Sequence, residues 1–317
     1  MIALVVGYGS IGQRHVRNLL KINTIEKIVV CTKNISCENA FKNNKKVEVV
    51  IFLKNINADF AIVANETYKH VDTALHLAGE GIHLLVEKPL SHNLNKTNEL
   101  REIAQKKKIK IFVGYNLRYL GAMKYIKDRL SEKIIGDLYF AKIEVGQFLP
   151  SWRSDRDYRN SYSASEAKGG GVALDLSHEL DYMRYLFGEP CNWKVMKARV
   201  SKLEIDSEDI FEGIYRYDNN FICNVHMDYL QKDKKREIRI VGSEGMLNCD
   251  LIGKSIRIIR DDKETITSDD CMFDFDKTYS DELNHFIGTI QGKTAPSATV
   301  EDGIMALKLL EDKGVQR

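Results

Sequence analysis

The sequence predicts an α/β protein of two domains, in which a parallel sheet covered on both faces by helices precedes a mostly antiparallel sheet. Three observations carry this prediction. The chain has 317 residues, and a domain usually contains roughly 100–200 residues. In the first third, short apolar runs alternate with amphipathic helical segments, which is typical of a parallel sheet. From residue 193 to residue 260, β-rich runs follow one another without helices between them, which favours antiparallel pairing.

The composition is that of an ordinary globular protein, since 44% of the residues are hydrophobic and 29% are charged. There are 47 basic and 45 acidic residues, and the resulting net charge of +2 favours neither a nucleic-acid partner nor a membrane partner. No apolar run approaches the roughly 20 residues of a membrane span. The N-terminus lacks the basic region of a signal peptide, so we expect a cytoplasmic protein.

The six cysteines form no C-x-x-C pair, and none has a histidine at metal-ligand spacing. In a chain of this length, that pattern predicts reduced thiols and no metal site.

The first domain is predicted to span residues 1–119. Its short apolar runs predict strands at residues 2–6, 27–31, 60–64, 82–86 and 109–113. Apolar residues at helical spacing follow the first strand, and Thr67 is placed to cap a later helix. Residues 32–59 are few and rich in Lys and Asn, so a reduced crossover is expected there.

The second domain is predicted to span residues 120–317. Helices are predicted near residues 121–130, 175–187, 279–290 and 300–311. Strands are predicted at residues 138–148, 193–200, 210–217, 221–229, 237–241 and 255–260.

A glycine-rich loop of the form G-x-G-x-x-G connects the first predicted strand to the first helix. Gly7 allows a tight turn, Gly9 lets a pyrophosphate approach the backbone, and Gly12 lets the helix pack on the strand. The helix N-terminus, which includes Ser10 and Ile11, offers free N–H groups to the phosphates. The alternative is a glycine-rich turn that binds nothing. The strand-loop-helix context favours a dinucleotide site.

The end of the second strand bears on the choice between NAD and NADP. An NAD site places Asp or Glu there to bind the ribose 2′-hydroxyl, whereas this chain has Thr32 and Lys33. These side chains are suited to a 2′-phosphate, so NADP is favoured over NAD. The alternative is that Lys33 is a solvated loop lysine.

A candidate catalytic lysine follows the strand at residues 82–86, in the tripeptide Glu87-Lys88-Pro89. The carboxyl end of a parallel strand is where an open α/β sheet binds its ligands. Pro89 disfavours a helical conformation at Lys88, so the ammonium can donate to a substrate oxygen. The alternative is a surface lysine at a strand end.

A second candidate group combines three glycines, at residues 169–171, with Asp175 and His178. The glycines are expected to let the backbone approach a ligand closely. On the predicted helix, Asp175 and His178 are three residues apart and share one face. A carboxylate beside an imidazole suits proton transfer near neutral pH. The alternative is that Asp175 caps the helix while His178 lies in the core.

An aromatic and arginine-rich segment precedes these glycines and includes Trp152, Arg153, Tyr158 and Arg159. Aromatic faces stack on sugar rings, and arginine binds carboxylates and phosphates. Trp152 and Arg153 are therefore candidate substrate contacts. A lid or an oligomer contact is the alternative.

Together these motifs resemble the Gfo/Idh/MocA oxidoreductases, the family of glucose–fructose oxidoreductase and inositol dehydrogenase. The resemblance spans nearly the whole chain, and it rests on residues 7–12, 87–89, 114–118, 169–178 and 242–245. It implies an N-terminal Rossmann domain and a C-terminal α/β domain with an open, mostly antiparallel sheet. It also implies NAD(P), hydride transfer at a sugar or polyol carbon, and a homodimer or homotetramer packed through that sheet.

The resemblance also implies site residues. Lys88, Asp175 and His178 would line the catalytic site. The cofactor would also contact Asn65, His70 and Glu87, and the substrate would contact Tyr115, Asn116 and Arg118.

Two positions depart from the common family pattern. Many members place the histidine four residues after the aspartate, where this chain has Glu179, and His178 comes one residue earlier. Asn65-Glu66-Thr67 replaces the common Thr-Pro-Asn, although His70 keeps the downstream histidine. A helix-surface or capping role is the alternative for His70.

The function expected from the sequence is an NAD(P)-dependent oxidoreductase that acts on a carbohydrate hydroxyl or the matching ketone. Two alternatives are an NAD-dependent glycoside hydrolase of the same family and a non-catalytic cofactor-binding sensor. The joint presence of Lys88, Asp175 and His178 argues against the sensor.

Overall fold

A computed structural model describes residues 1–54, 56–152 and 157–313. The chain forms two compact units. The first contains Met1–Tyr115 and Tyr279–Ile304, and the second contains Asn116–Thr278 and the chain from Met305 onward. The chain first passes from one unit to the other between Tyr115 and Asn116, close to the expected boundary at residue 119. The expected continuous domain 120–317 is different in the structure, because residues 279–304 pack with the first unit.

The first unit is built on a parallel sheet. Its strands in the described part of the chain are β1 (Ile2–Val6), β2 (Lys27–Cys31), β3 (Val47–Val50), β4 (Phe60–Val63), β5 (His83–Val86) and β6 (Ile111–Val113). They are arranged β3-β2-β1-β4-β5-β6, and every neighbouring pair is parallel. The strand order reverses between β1 and β4. In open α/β sheets, ligands bind at the carboxyl ends of the two strands that flank such a point.

Helices cover this sheet because its strands are apolar on both faces. Within residues 1–115 of this unit, the α-helices in the described ranges are α1 (Ser10–Leu20), α2 (Ile35–Phe41), α3 (His70–Gly79) and α4 (Thr97–Lys107). β4 is buried along its whole length. Phe112 of β6 packs against Phe286, whose ring centre lies 5.2 Å away in the returning segment of the chain. The core therefore lies between the sheet and its helices.

The second unit is built on a mostly antiparallel sheet. Its strands in the described part of the chain are β7 (Leu138–Gly146), β8 (Asn192–Ala198), β9 (Ile210–Arg216), β10 (Ile222–Asp228), β11 (Lys235–Gly242), β12 (Gly245–Asp250), β13 (Ser255–Arg260) and β14 (Lys263–Thr267). The order is β14-β13-β12-β11-β7-β10-β9-β8. β7 and β10 are parallel, and the other neighbours are antiparallel. These two sheets confirm the predicted fold class.

Three helices precede most of this sheet along the chain, namely α5 (Gly121–Ser131), α6 (Val172–Asp175) and α7 (His178–Phe187). α6 packs against β9 and β10, and α7 packs against β7. On the opposite face, side chains such as Met196, Ile214 and Ile222 are exposed. One face of the sheet is therefore covered and the other is open. The chain ends with α8 (Phe275–Ile290) and α9 (Val300–Lys308).

The predicted helix at residues 175–187 is wrong in one respect that matters for the site. The structure has two helices, α6 and α7, with Leu176 and Ser177 between them. Asp175 is the last residue of α6 and His178 is the first of α7, so the two side chains do not share one helix face. Leu176, at φ −104° and ψ 26°, lies outside the helical region and interrupts the helix.

Two further properties concern the helices and the cysteines. Over the described ranges, no helix combines the length and apolar character needed to cross a bilayer. The six cysteines, all of which lie in those ranges, are free thiols.

Candidate active site

The three glycines of the loop between β1 and α1 differ in what surrounds them. Gly7 has φ +99°, and a Cβ there would lie 2.5 Å from the carbonyl oxygen of Ala64 at the end of β4. A Cβ at Gly12 would lie 3.0 Å from the carbonyl carbon of Gly7 and closer still to its oxygen. Gly7 and Gly12 are thus required by the packing of the loop.

Gly9 is different, because a Cβ at this position would have no described protein atom within 4 Å beyond its chain neighbours. Its backbone, at φ −76° and ψ −169°, is extended and open to any residue. In the described residues, no side chain caps α1, whose first internal hydrogen bond joins Gln13 N to the Gly9 oxygen. The amides of residues 10–12 therefore remain as donors at the positive end of the helix dipole. This geometry fits a pyrophosphate above Gly9. Contacts between the cofactor and this loop stay a prediction.

The end of β2 lies beside this loop, since the Gly7 amide donates to the Cys31 carbonyl at 3.0 Å. Beyond Cys31, the Thr32 Oγ1 accepts from the Asn34 amide at 3.1 Å, and Asn34 caps α2 by accepting from the Ser36 amide at 3.0 Å. Lys33 is exposed. Residues 32–37 include no acid, so the end of this strand offers hydroxyl, amide and ammonium groups.

Glu87, at the end of β5, has a buried partner that the sequence reasoning missed. His15 of α1 is fully buried, and its Nε2 lies 2.6 Å from the Glu87 Oε1. A Cβ at Gly114 would lie 3.0 Å from the other carboxylate oxygen, so glycine there makes room for Glu87. This pair connects the helix of the glycine loop to the strand end that carries Lys88. A direct cofactor contact by Glu87 stays a prediction.

His70 connects the ends of β4 and β5. Its Nδ1 lies 2.8 Å from the Pro89 oxygen, and its Nε2 lies 3.0 Å from the Asn65 oxygen. The Lys88-Pro89 peptide bond is cis. His70 is buried, and burial lowers its pKa. A helix-surface role is therefore wrong for His70, which holds the two segments carrying Asn65 and Lys88.

The Asn65 side chain has a partner in the same segment of the first unit. Its Nδ2 donates to the Thr73 Oγ1 of α3 at 2.9 Å. Cofactor contacts by Asn65 and His70 stay predictions.

In the second unit, Asp175 accepts a hydrogen bond from a tyrosine that the sequence reasoning also missed. The Tyr229 hydroxyl lies 2.6 Å from the Asp175 Oδ2, and both residues are buried. Burial, followed by the charge of Asp175, raises the pKa of Tyr229 well above its usual range. The phenol therefore keeps its proton and is the donor in this pair.

The glycines before Asp175 are explained by contacts within the protein. A Cβ at Gly170 would lie 2.7 Å from the Ser163 oxygen. Gly171 has φ +115°, and a Cβ there would lie 2.5 Å from the Glu208 carboxyl carbon. Glu208 also accepts from the Ala173 amide at 3.2 Å. We expected these glycines to let a ligand approach the backbone. At Gly170 and Gly171, contacts with Ser163 and Glu208 explain the glycines instead.

The structure separates the roles of His178 and Glu179. Glu179 is fully buried, and its Oε1 accepts a hydrogen bond from the Arg236 Nε at 2.8 Å. It stands at the position where the common family pattern has histidine. His178, at the start of α7, is only partly buried. A buried carboxylate needs such a partner, so Glu179 is held in the fold. A proton-transfer role for His178 stays a prediction.

Three of the predicted substrate contacts are buried or paired. Arg118 forms a bidentate ion pair with Asp181 of α7, with N–O distances of 2.8 and 2.6 Å. The Asn116 amide donates to the Thr278 hydroxyl at 2.5 Å, and Tyr115 is fully buried. These contacts hold the segment that follows β6. Substrate contacts by the three residues stay predictions.

Trp152 lines a cavity of about 410 Å³ in the second unit. The other lining residues are Leu149, Asp157, Tyr158, Asn160, Ser161, Tyr162 and Ser163. Trp152 donates through its Nε1 to the Gln147 oxygen at 3.0 Å, which fixes the ring. The cavity combines aromatic rings with hydroxyl and amide groups, which suits a carbohydrate. Arg153 lies outside the described residues. Arg159 is paired with Asp157 and Glu204.

In the described residues, no group of three or more His, Cys, Asp or Glu side chains is arranged to hold a metal ion.

Two family models match the chain. The model of an oxidoreductase family with an NAD-binding Rossmann fold matches residues 2–115. The model of the GFO/IDH/MocA C-terminal domain matches residues 123–248.

Similar proteins include named sugar and polyol enzymes. The myo-inositol 2-dehydrogenase of Thermotoga maritima is 24% identical over 96% of this chain and 92% of that enzyme. The 1,5-anhydro-D-fructose reductase of Ensifer adhaerens is 26% identical over 84% of this chain and 79% of that enzyme. A solved structure of myo-inositol 2-dehydrogenase from Lactobacillus plantarum has a TM-score of 0.81 at 21% identity, over 98% of this chain and 95% of that one. This last similarity shows the fold.

Proposed function

The chain belongs to the Gfo/Idh/MocA oxidoreductase family, and from this premise we propose that it moves a hydride between a nicotinamide and a carbohydrate carbon that carries a hydroxyl group. The observation that carries the proposal is the open space at Gly9, at the N-terminus of α1, where a Cβ would have no described protein atom within 4 Å beyond its chain neighbours. Two relatives that cover most of the chain are named for oxidation or reduction of a polyol or a sugar.

The proposed mechanism divides the reaction between cofactor and protein. When bound, the nicotinamide accepts or donates the hydride. The amides of residues 10–12 would hold the pyrophosphate, and Gly9 would leave room for it. Oxidation of an alcohol also releases a proton, which a protein group has to accept. We assign that proton transfer to the pair Lys88 and His178, with Lys88 as the first candidate acceptor and His178 as the second, and we assign Asp175 the role of orienting His178.

NADP is the proposed preferred cofactor. At the end of β2, Thr32 and Lys33 stand where an NAD site has an acid to bind the ribose 2′-hydroxyl. An exposed ammonium and a hydroxyl attract a 2′-phosphate, whereas a carboxylate repels it.

The proposed substrate is a free or nucleotide-linked sugar, or a polyol. The support is the cavity lined by Trp152, Tyr158 and Tyr162, because aromatic faces pack on the C–H faces of sugars while hydroxyl and amide groups bind their oxygens.

A second copy of the chain is the proposed partner, packed on the open face of the second sheet. Ile222 and Phe140 are register neighbours on β10 and β7, and each is 44% exposed. Ile214 on β9 and Met196 on β8 are 54% and 65% exposed. An apolar face of this kind marks an interaction site. We propose a homodimer or homotetramer in the cytoplasm, where the free thiols stay reduced.

The function is tested by following nicotinamide absorbance during incubation with NADP⁺ or NAD⁺ and a panel of myo-inositol, D-glucose and a UDP-linked sugar. The reverse reaction uses 1,5-anhydro-D-fructose and the reduced cofactor. A net change in reduced cofactor with at least one panel member is expected. Release of a sugar without such a change would instead support a glycoside hydrolase, and binding without turnover of any member would support a sensor.

The proton-transfer assignment is tested with Lys88→Ala and His178→Ala. Each is expected to lower kcat by roughly 10²–10⁴-fold with little change in cofactor affinity. Asp175→Asn should lower kcat less than His178→Ala does, because an orienting group is partly replaceable. Lys110→Ala is the matched control, since Lys110 is an exposed lysine at the amino-terminal end of β6. Near-normal turnover by Lys88→Ala would overturn the assignment.

A further inference from the structure

Tyr229 connects two features of the second unit that the proposed function uses. Its hydroxyl donates to Asp175 at 2.6 Å, and its ring meets the Trp152 ring edge-on, with centres 5.2 Å apart and planes at 88°. Tyr229 is fully buried, and Asp175 is 5% exposed. One side chain therefore contacts both the candidate carboxylate and the aromatic wall of the cavity.

The position of this side chain is determined by its backbone. Tyr229 follows β10 directly, its amide donates to the Asp209 oxygen at 2.9 Å, and its oxygen accepts from the Leu149 amide at 2.9 Å. Leu149 and Trp152 belong to the same short helical turn region that lines the cavity. The backbone of Tyr229 is thus fixed by Asp209 on one side and by Leu149 of the cavity wall on the other.

We propose that Tyr229 is a positioning residue, which orients Asp175 through its hydroxyl and supports the Trp152 wall through its ring. The proposal rests on the proposed function, since it assigns Tyr229 a role toward Asp175 in that site. A hydrogen bond to a carboxylate is stronger than one between neutral groups, and it restricts the direction of the carboxylate. Loss of the hydroxyl alone should affect the reaction, whereas loss of the ring should affect sugar binding as well.

The structure offers a matched pair of variants. Tyr229→Phe removes the hydroxyl and keeps the ring. Tyr215→Phe makes the same chemical change in another fully buried tyrosine of the same sheet, whose hydroxyl donates to the Leu309 carbonyl at 2.8 Å. Both variants lose one buried hydrogen bond, and Tyr229→Phe should lose more stability because its acceptor is a carboxylate. Only Tyr229→Phe should affect Asp175.

The experiment measures kcat and KM with the panel sugar that is turned over fastest, together with urea unfolding of each variant. Tyr229→Phe should lower kcat roughly tenfold or more, the size expected for one hydrogen bond to a charged group, with KM changed less than about twofold. Tyr215→Phe should leave kcat and KM unchanged. Tyr229→Leu, which also removes the ring, should lower kcat and raise KM.

The outcomes separate this proposal from the one on which it rests. If Asp175→Asn lowers kcat while Tyr229→Phe keeps the kcat of the unmodified protein, the role of Tyr229 is refuted and the proposed function stands. If Asp175→Asn also keeps normal kcat, or if no panel sugar is turned over, the proposed role of Asp175 fails and the inference fails with it. An equal effect of Tyr229→Phe and Tyr215→Phe on kcat would show a purely structural role.

Discussion

Gly9→Ala is the sharpest test of the dinucleotide site, because this variant should weaken cofactor binding strongly while it leaves the stability of the fold nearly unchanged. The new Cβ has no described protein atom within 4 Å beyond its chain neighbours, and the backbone of Gly9 is extended. Stability should therefore change by less than about 1 kcal/mol. The same Cβ occupies the place proposed for the pyrophosphate. Loss of two hydrogen bonds to phosphate, at roughly 1.5–3 kcal/mol each, corresponds to ~10²–10⁴-fold weaker binding.

Gly12→Ala is the matched control for this prediction. Its Cβ would collide with the carbonyl group of Gly7, so it should destabilise the fold by roughly 1–3 kcal/mol. The assay is fluorescence titration with NADPH and with NADH, alongside urea unfolding followed by circular dichroism. If Gly9→Ala binds both cofactors as tightly as the unmodified protein, the pyrophosphate does not lie above Gly9, and the assignment of this loop is refuted.

Three further predictions address the cofactor preference, a buried ion pair and a histidine on the open sheet. Thr32→Asp should shift the ratio of NADPH affinity to NADH affinity by roughly tenfold or more toward NADH, so that NADH becomes the preferred cofactor. Titrations that show an unchanged ratio would refute the proposed 2′-phosphate contact. Arg118→Met should destabilise the protein by about 3 kcal/mol, because it removes both hydrogen bonds that the buried Asp181 carboxylate accepts from Arg118. Lys133→Met, which breaks an exposed ion pair, should leave the stability nearly unchanged. Equal urea midpoints for the two variants would contradict this prediction. Hydrogen bonds to Asp228 and Glu212 raise the pKa of His226 from 6.5 to about 8. The stability that protonated His226 gives the folded protein is therefore complete below pH 6.5 and is lost as the pH rises through about 8. The free energy of unfolding should fall by about 1 kcal/mol over that range, and His226→Gln should abolish the fall.

Much of the fold was predictable because local patterns determine it. Strands β1, β2, β4 and β5 are short apolar runs between glycines and polar segments, and such runs indicate buried parallel strands. Strands β3, β12 and β14 were not predicted. β14 is exposed at four of five positions and lies at the sheet edge, so its sequence carries no hydrophobic alternation.

The candidate site was predictable only where a motif is contiguous in the sequence. The glycine loop and Glu87-Lys88-Pro89 are such motifs, and their residues fall at strand ends as expected. His15 and Tyr229 were missed, since their partners Glu87 and Asp175 lie 72 and 54 residues away along the chain. The break between α6 and α7 was missed as well. Residues 175–187 have continuous helical periodicity, and Leu176 departs from it only in the folded backbone.

The account predicts that the chain transfers hydride from a sugar carbon to the nicotinamide, and isotope transfer tests this most directly. The panel sugar that is turned over is labelled with deuterium at each hydroxyl-bearing carbon in turn, and the nicotinamide product is examined by mass spectrometry. The account predicts deuterium in the reduced nicotinamide for one labelled carbon, in an amount equal to that of the ketone formed. The rate of this deuterium transfer should be roughly 10²–10⁴-fold lower in Lys88→Ala. Turnover of the sugar without deuterium in the released cofactor, for every labelled carbon, would contradict it.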